Sequence, residues 1–323
     1  MAQEAPLVKE APGISVVIPL YNEVLNVEDL CRELKSALQP LARPYEVILV
    51  DDGSTDGTGA RALELAKTDP TLRVLRLRRN FGQTAAFSAG FDHARGRVVV
   101  TSDGDLQNDP RDIGAMLSKL EEGEGYDIVC GWRKNRRDPL SKRIPSFFAN
   151  HLISWATGVD LHDYGCSLKV IRAEVVKGIR LYGEMHRFIP AVASSMGVRV
   201  AEVVVNHRPR TRGASKYGIG RTTRVLLDLF TVKFLMSYGT RPAHLFGLFG
   251  LLSLAIGFGI LSYLSYVRLF DDQSIGSRPL LFFGGLAFLT GILLVNFGLM
   301  AELLMRTYHE SQGKPIYVLK TDE

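Results

Sequence analysis

Short runs of β-branched and aliphatic residues alternate with longer amphipathic stretches through the first part of the chain. Residues 14–20 (ISVVIPL) are almost continuously apolar, which predicts a buried strand. Residues 26–38 follow with Val27, Leu30, Leu34 and Leu38 at helical spacing, the stripe a helix needs to cover a sheet. The same reading predicts strands at 45–50, 72–77, 97–101 and 126–131, and helices at 56–67, 84–94 and 111–121. Strands separated by helices of this length form βαβ units, so the expected fold is α/β, a Rossmann-like and mostly parallel sheet covered on both faces. Beyond residue 127 the alternation loosens. A helix is expected at 144–156, a late strand at 198–205 and an almost wholly apolar helix at 222–238.

The pattern then changes character. Residues 245–267 and 279–301 are two runs of 23 residues without a charge, separated by 11 residues. At about 1.5 Å per residue each reaches about 34 Å, enough for a hydrocarbon core of about 30 Å. They predict a two-helix transmembrane hairpin. Small residues four apart (Ser253/Gly257 and Ala255/Gly259) suit close helix contact. Basic residues flank the outer ends (Arg221, Arg224, Lys233 and Arg241 before, Arg306, Lys314 and Lys320 after). The connecting loop has Arg268 and Arg278 beside Asp271 and Asp272. That bias predicts that the large domain and both termini are cytoplasmic, and the expected location is the plasma (inner) membrane. The expected organisation is a loose polar arm at 1–12, an α/β domain at 13–220, a juxtamembrane helix at 221–243, two spans within 244–302 and a tail at 303–323.

Composition adds little: 46% hydrophobic and 23% charged residues are ordinary globular values. Three scattered cysteines, Cys31, Cys130 and Cys166, give neither a disulfide framework nor zinc-ligand spacing. The net charge of +5 fits any anionic partner, but its distribution is informative. Residues 133–143 hold six Lys/Arg against Asp138, and residues 207–224 hold six with no acid. Beside membrane spans these stretches speak against nucleic acid and leave an anionic membrane surface or phosphorylated substrates as partners.

Candidate chemistry sits in three loops after strands, where open parallel sheets bind ligands. They are Pro19-Leu20-Tyr21-Asn22-Glu23, Asp51-Asp52-Gly53-Ser54-Thr55-Asp56 and Ser102-Asp103-Gly104-Asp105-Leu106-Gln107. Acidic and small residues after one strand often only cap the next helix, but three such loops in phase along one sheet edge are harder to dismiss. A dinucleotide site is excluded, since the first turn, PLYNE, lacks glycine and Gly218-Ile219-Gly220 follows no strand. Two carboxylates two residues apart, Asp103 and Asp105, suit Mg2+ or Mn2+, which binds few carboxylates plus phosphate oxygens. A calcium loop is excluded, because Asn108 and Gly114 stand where a glycine and an acid would be needed. His93, His151, His162 and His186 form no His–carboxylate pair in these loops and read as structural or surface residues.

ISVVIPLYNE, ILVDDGSTDGT, RNFGQTAAFSAGFDHARG and TSDGDLQNDP, in this order, resemble the family-2 GT-A glycosyltransferases. With two spans after the domain, the chain resembles more narrowly the polyprenyl-phosphate (dolichol- or undecaprenyl-phosphate) sugar transferases. The resemblance covers about residues 13–310. It implies an inverting transfer from a UDP- or GDP-sugar to a polyprenyl phosphate, a Mg2+ or Mn2+ requirement and a homo-oligomer such as a tetramer. It places Pro19, Tyr21 and Glu23 in the nucleoside pocket, Asp51 and Asp52 near base or ribose, and Asp103, Asp105 and Gln107 on the metal. Gly213-Ala214-Ser215-Lys216 matches a G-x-S-K element, which gives Lys216 and the nearby Arg208 or Arg210 to the diphosphate. Asp163 falls beside the reacting sugar, although Asp163-Tyr164-Gly165-Cys166-Ser167 departs by one residue from the family's Asp-x-x-Gly-Ser. Arg133 and Arg143 are the candidates for the lipid phosphate, with the helices at 144–156 and 222–238 lying in the membrane interface. A processive polysaccharide synthase shares the domain, but neither Trp132 nor Trp155 sits in a Q-x-x-R-W element and two spans enclose no channel. A non-catalytic scaffold of the same fold is the other alternative, against which the intact acidic loops argue.

Overall fold

The computed structural model describes residues 12–122, 125–134, 153–154, 158–179, 181, 185–194, 196–209, 242–271 and 273–311. They fall into two compact units. The first is built on seven strands: β1 (Ile14–Leu20), β2 (Tyr45–Asp51), β3 (Leu72–Arg76), β4 (Val98–Thr101), β5 (Ile128–Trp132), β6 (Lys169–Arg172) and β7 (Val200–Val204). Its main helices are α1 (Val27–Leu38), α2 (Thr58–Thr68), α3 (Gln83–His93) and α4 (Asp112–Glu121), with the short α5 (Ala173–Gly178) and α6 (Ile189–Ser194) later. The strand order is β3-β2-β1-β4-β6-β5-β7.

The hydrophobic pattern explains the layers. Val16, Ile18 and Leu20 of β1 and Val47 and Leu49 of β2 alternate onto one face, where Val27, Leu30, Leu34 and Leu38 of α1 and Ile113, Met116, Leu117 and Leu120 of α4 close the core. Each such side chain contributes about 1.5–3 kcal/mol relative to exposure. The opposite face of β1 and β2 packs against α3. There Gly90 lies so near Val17 that a Cβ would stand 2.1 Å from its Cγ1.

The sheet is mostly parallel, as expected, with one antiparallel strand. β6, absent from the sequence-based reading, runs antiparallel between β4 and β5. Its four residues KVIR carry a charge at each end and begin on the last two residues of the HDYGCSLKV stretch, so no apolar run marks them. Lys169 is nonetheless buried, its ammonium donating to the Cys166 carbonyl.

The second unit consists of α7 (Pro242–Phe270) and α8 (Pro279–Ser311). Leu245–Phe270 and Pro279–Ala301 each have a mean hydropathy of 2.2, long and apolar enough to cross a membrane. Leu251, Ile256, Phe258, Phe282 and Phe297 are exposed, as lipid-facing side chains would be. The helices meet through the Ser253/Gly257 register: Ser253 Oγ donates to the Ala287 carbonyl (2.7 Å) and Gly257 packs on the Phe288 backbone. Gly259 faces open space, so the Ala255/Gly259 pair makes no such contact.

Candidate active site

β1 pairs with β2 along its whole length but with β4 only over Ile14–Val17. β4 ends there, and the strand order reverses about β1. In open sheets ligands bind at such a reversal, outside the carboxyl ends of the strands. The three acidic loops border this edge. Pro19 sits where the β4 ladder has already ended, so its missing N–H costs no bond on that side.

The first two loops bind one another. Asn22, at φ 52°, donates its N–H to Ser54 Oγ (2.9 Å), and its Oδ1 accepts from Thr55 N–H (2.8 Å). The Glu23 N–H reaches Thr58 Oγ1 (2.8 Å), while the Glu23 carboxylate accepts from Asn26 Nδ2 (2.6 Å). Tyr21 is partly exposed above them. Asp51 accepts from the Ser54 N–H (3.0 Å) and lies 3.9 Å from Arg76 Nε. Asp52 accepts the N–H groups of Phe81 (2.7 Å) and Gly82 (2.9 Å). Burial raises the Asp52 pKa, the two N–H donors oppose that rise, and the Asp51 charge adds to it. Both carboxylates are thus buried and bonded inside the loops. Gly53, at φ +67°, lies against the Arg79–Asn80 backbone, where a Cβ would come within 2.4 Å of Arg79 C. Only glycine lets the β2 and β3 loops approach this closely.

The third loop follows β4. Gly104 rests on Leu20, where a Cβ would stand 2.5 Å from Cδ2, and Leu106 adopts φ 63° to turn the chain. Asp103 and Asp105 are half-buried on either side of that glycine. Asp103 Oδ1 accepts from Gln83 Nε2 (2.7 Å), and Asp105 Oδ1 accepts from the Gln107 N–H (3.2 Å). Asp103 Oδ2 accepts no hydrogen bond from the described residues. Among the described residues no cluster of three or more His, Cys, Asp or Glu could hold a metal by itself. The donor set here is two hard carboxylates, which suits a cation that takes its remaining oxygens from a diphosphate and water.

Arg133, just past β5, and Asp163 meet in a buried, bidentate pair. Arg133 Nε and Nη2 lie 2.6 and 2.8 Å from the two carboxylate oxygens, with side-chain exposures of 12% and 3%. Burial alone would lower the Arg133 pKa. The hydrogen bonds and charge of Asp163, with Asp103 in the same field, hold it above the ordinary value. Glu202 supports the pair by accepting the N–H groups of His162 (2.9 Å) and Asp163 (3.2 Å), and Trp132 stacks on His162 at 4.1 Å. Arg208, expected near a diphosphate, is ion-paired beside the third loop. Its guanidinium binds Glu33 (2.6 Å) and Asp109 (2.7 Å), and its N–H bonds the Gln107 carbonyl (2.9 Å). Arg111 and Arg208 together keep Asp109 far below the usual carboxylate range. Arg143, Arg210 and Lys216, and the proposed helix at 222–238 with most of that at 144–156, lie outside the described residues.

Gln83 and His186 were not singled out as site residues by the sequence. A polar residue directly after the N–F–G turn, at the start of an otherwise apolar helix, was the available signal for Gln83. His186 is buried, bonded through Nδ1 to Thr84 Oγ1 (2.7 Å) and stacked on Phe87. Burial first, then the charges of Arg187 and Lys169, depress its pKa well below the ordinary value. The unfolded chain therefore binds a proton near pH 6.5 that the folded chain refuses. That stability is complete above about pH 6.5 and is lost progressively as the pH falls below it toward the folded pKa. Melting temperatures between pH 7.5 and 5 should drop for the protein and drop less for His186→Gln; equal slopes would contradict this. The cysteines are free, and burial pushes the thiols of Cys130 and Cys166 up to about 12 and about 11. They are poor nucleophiles.

The family model "Glycosyl transferase family 2" matches residues 15–180. Dodecaprenyl-phosphate galacturonate synthase of Rhizobium johnstonii is 46% identical over 311 residues, covering 95% of this chain and 92% of that protein. Undecaprenyl-phosphate 4-deoxy-4-formamido-L-arabinose transferase of Shewanella sediminis is 35% identical over 312 residues, covering 95% and 91%. Glucosyl-3-phosphoglycerate synthase from Mycobacterium tuberculosis, solved with Mn2+, uridine diphosphate and glucosyl-3-phosphoglycerate, shares the fold. Its TM-score is 0.53 at 19% identity, over 69% of this chain and 80% of that one. Sheet order, acidic loops and relatives that span nearly the whole chain agree: this protein is a glycosyltransferase and belongs to glycosyl transferase family 2.

Proposed function

We propose that this enzyme transfers a sugar, with inversion, from a nucleoside-diphosphate donor to the phosphate of a polyprenyl lipid at the cytoplasmic face of the plasma (inner) membrane. The observation that carries the reading is a 46% identity running through 95% of the chain, apolar helices included, to an enzyme named for a dodecaprenyl-phosphate product. The catalytic domain would occupy 13–220, the juxtamembrane helix 221–243 and the two spans 244–302, with both termini cytoplasmic. Pro19, Tyr21 and Glu23 would line the nucleoside pocket, with Asp51 and Asp52 shaping its floor.

Asp103 and Asp105, with Gln107, would hold Mg2+ or Mn2+, which supplies charge neutralisation for the departing diphosphate. Lys216 would grip the same diphosphate. Among the described residues Arg133 engages Asp163 through Nε and one Nη2 hydrogen, and Nη1 would take the lipid phosphate, with Arg143 alongside. Asp163 would orient Arg133 beside the sugar. A lipid phosphate oxygen attacks the anomeric carbon as the bond to the diphosphate breaks, and the nucleoside diphosphate leaves with that electron pair. A phosphate monoester has a second pKa of about 6, so at neutral pH the nucleophile is already ionised and no strong general base is required.

The test incubates the detergent-solubilised chain and Mn2+ with undecaprenyl phosphate and a panel of UDP- and GDP-sugars labelled in the sugar. One donor should place label in an acid-labile lipid fraction. Label appearing only as free sugar or polymer, with every donor, would overturn the proposal.

A further inference from the structure

The Asp52 and Asp103 loops follow β2 and β4, which lie on opposite sides of β1 and share no ladder. One segment nevertheless touches both. The Asp52 carboxylate takes the N–H groups of Phe81 and Gly82, and the next residue, Gln83, reaches Asp103 Oδ1 at 2.7 Å. The start of α3 is further held by the Thr84–His186 bond and by the tight seat of Gly53 on Arg79–Asn80. The orientation of the Gln83 amide is settled by chemistry. A carboxylate only accepts, so the NH2 group must be the one that faces Asp103.

We propose that Gln83 is a positioning residue for Asp103: by occupying Oδ1 it turns Oδ2 toward the cation site and couples that site to the nucleoside loop. This inference rests on the reading of Asp103 and Asp105 as cation ligands. A half-buried carboxylate without this donor would rotate about its χ2, which is broad and two-fold. Losing a partner that orients a ligand typically lowers metal affinity by about 10–100-fold.

The experiment measures free Mn2+ by its electron paramagnetic resonance signal during titration of the full chain in detergent with UDP and no lipid acceptor. Melting temperature and UDP binding in EDTA are read in parallel. Gln83→Met keeps the side chain's length and removes the donor. Gln83→Asn keeps the amide but stops one methylene short, and serves if the first variant fails to fold. Weakening of Mn2+ binding by about tenfold or more, with melting temperature and EDTA-state UDP binding unchanged, is the expected result. Unchanged Mn2+ affinity in a folded variant overturns the role of Gln83 while leaving the cation reading intact. So does a loss that appears only together with a lower melting temperature and lost UDP binding in both variants. Failure of the unsubstituted protein to bind Mn2+, or equal binding by Asp103→Asn, removes the cation reading itself and the inference with it.

Discussion

Asp103→Ala and Asp105→Ala should each reduce sugar transfer by at least about 10²–10³-fold, the cost of losing one preorganised stabiliser of developing charge. The physical reason lies in the leaving group. In the proposed reaction the diphosphate gains charge as the glycosidic bond breaks, and the two candidate arginines among the described residues are already paired. Arg133 is engaged by Asp163, and Arg208 by Glu33 and Asp109. Without the carboxylate pair that charge would have no divalent partner. Neither side chain is a core residue, and both are half-buried, so the substitutions should leave the melting temperature within a few degrees. Transfer assayed beside circular dichroism checks both halves, and full activity in either variant would refute the cation role.

The second large effect concerns the Arg133–Asp163 pair. Breaking a buried ion pair by removing one partner leaves an uncompensated charge and costs about 3–5 kcal/mol, whereas replacing both partners by apolar residues is often nearly neutral. Arg133→Met and Asp163→Leu should each lower the melting temperature sharply, Arg133→Met more so because it takes the guanidinium from a carboxylate 3% exposed. The double variant should recover most of the loss. All three should be inactive, because the guanidinium is proposed to meet the lipid phosphate. Thermal unfolding followed by tryptophan fluorescence suits the measurement, since Trp132 stacks on His162 beside the pair. Additive losses in the double variant would show that the two side chains do not stabilise each other.

The framework was legible in the residues because its signals are local. ISVVIPL is a strand exactly where its apolar run lies, at Ile14–Leu20, and the α1 stripe of Val27, Leu30, Leu34 and Leu38 is buried as its spacing requires. The acidic loops were also legible, since each directly follows a strand whose direction a parallel sheet dictates. What stayed hidden depends on contacts between distant segments. β6 is a strand because β4 and β5 flank it, not because KVIR is apolar. Asp52 was legible as a loop acid but not as the anchor of the Phe81 and Gly82 N–H groups, 29 and 30 residues away. Arg208 lies in a basic stretch that suggests phosphate, yet Glu33, 175 residues earlier, takes its guanidinium. Arg133 and Asp163 were each legible as candidates, but their bond spans 30 residues of chain.

The most direct measurement is transfer of labelled sugar to undecaprenyl phosphate by the purified, detergent-solubilised chain, in excess EDTA and then after Mn2+ or Mg2+ is restored. A diphosphate neutralised by a cation on Asp103 and Asp105 requires that lipid-linked label vanish with the chelator and return with the metal. Lipid-linked product formed at an undiminished rate in excess EDTA would contradict it.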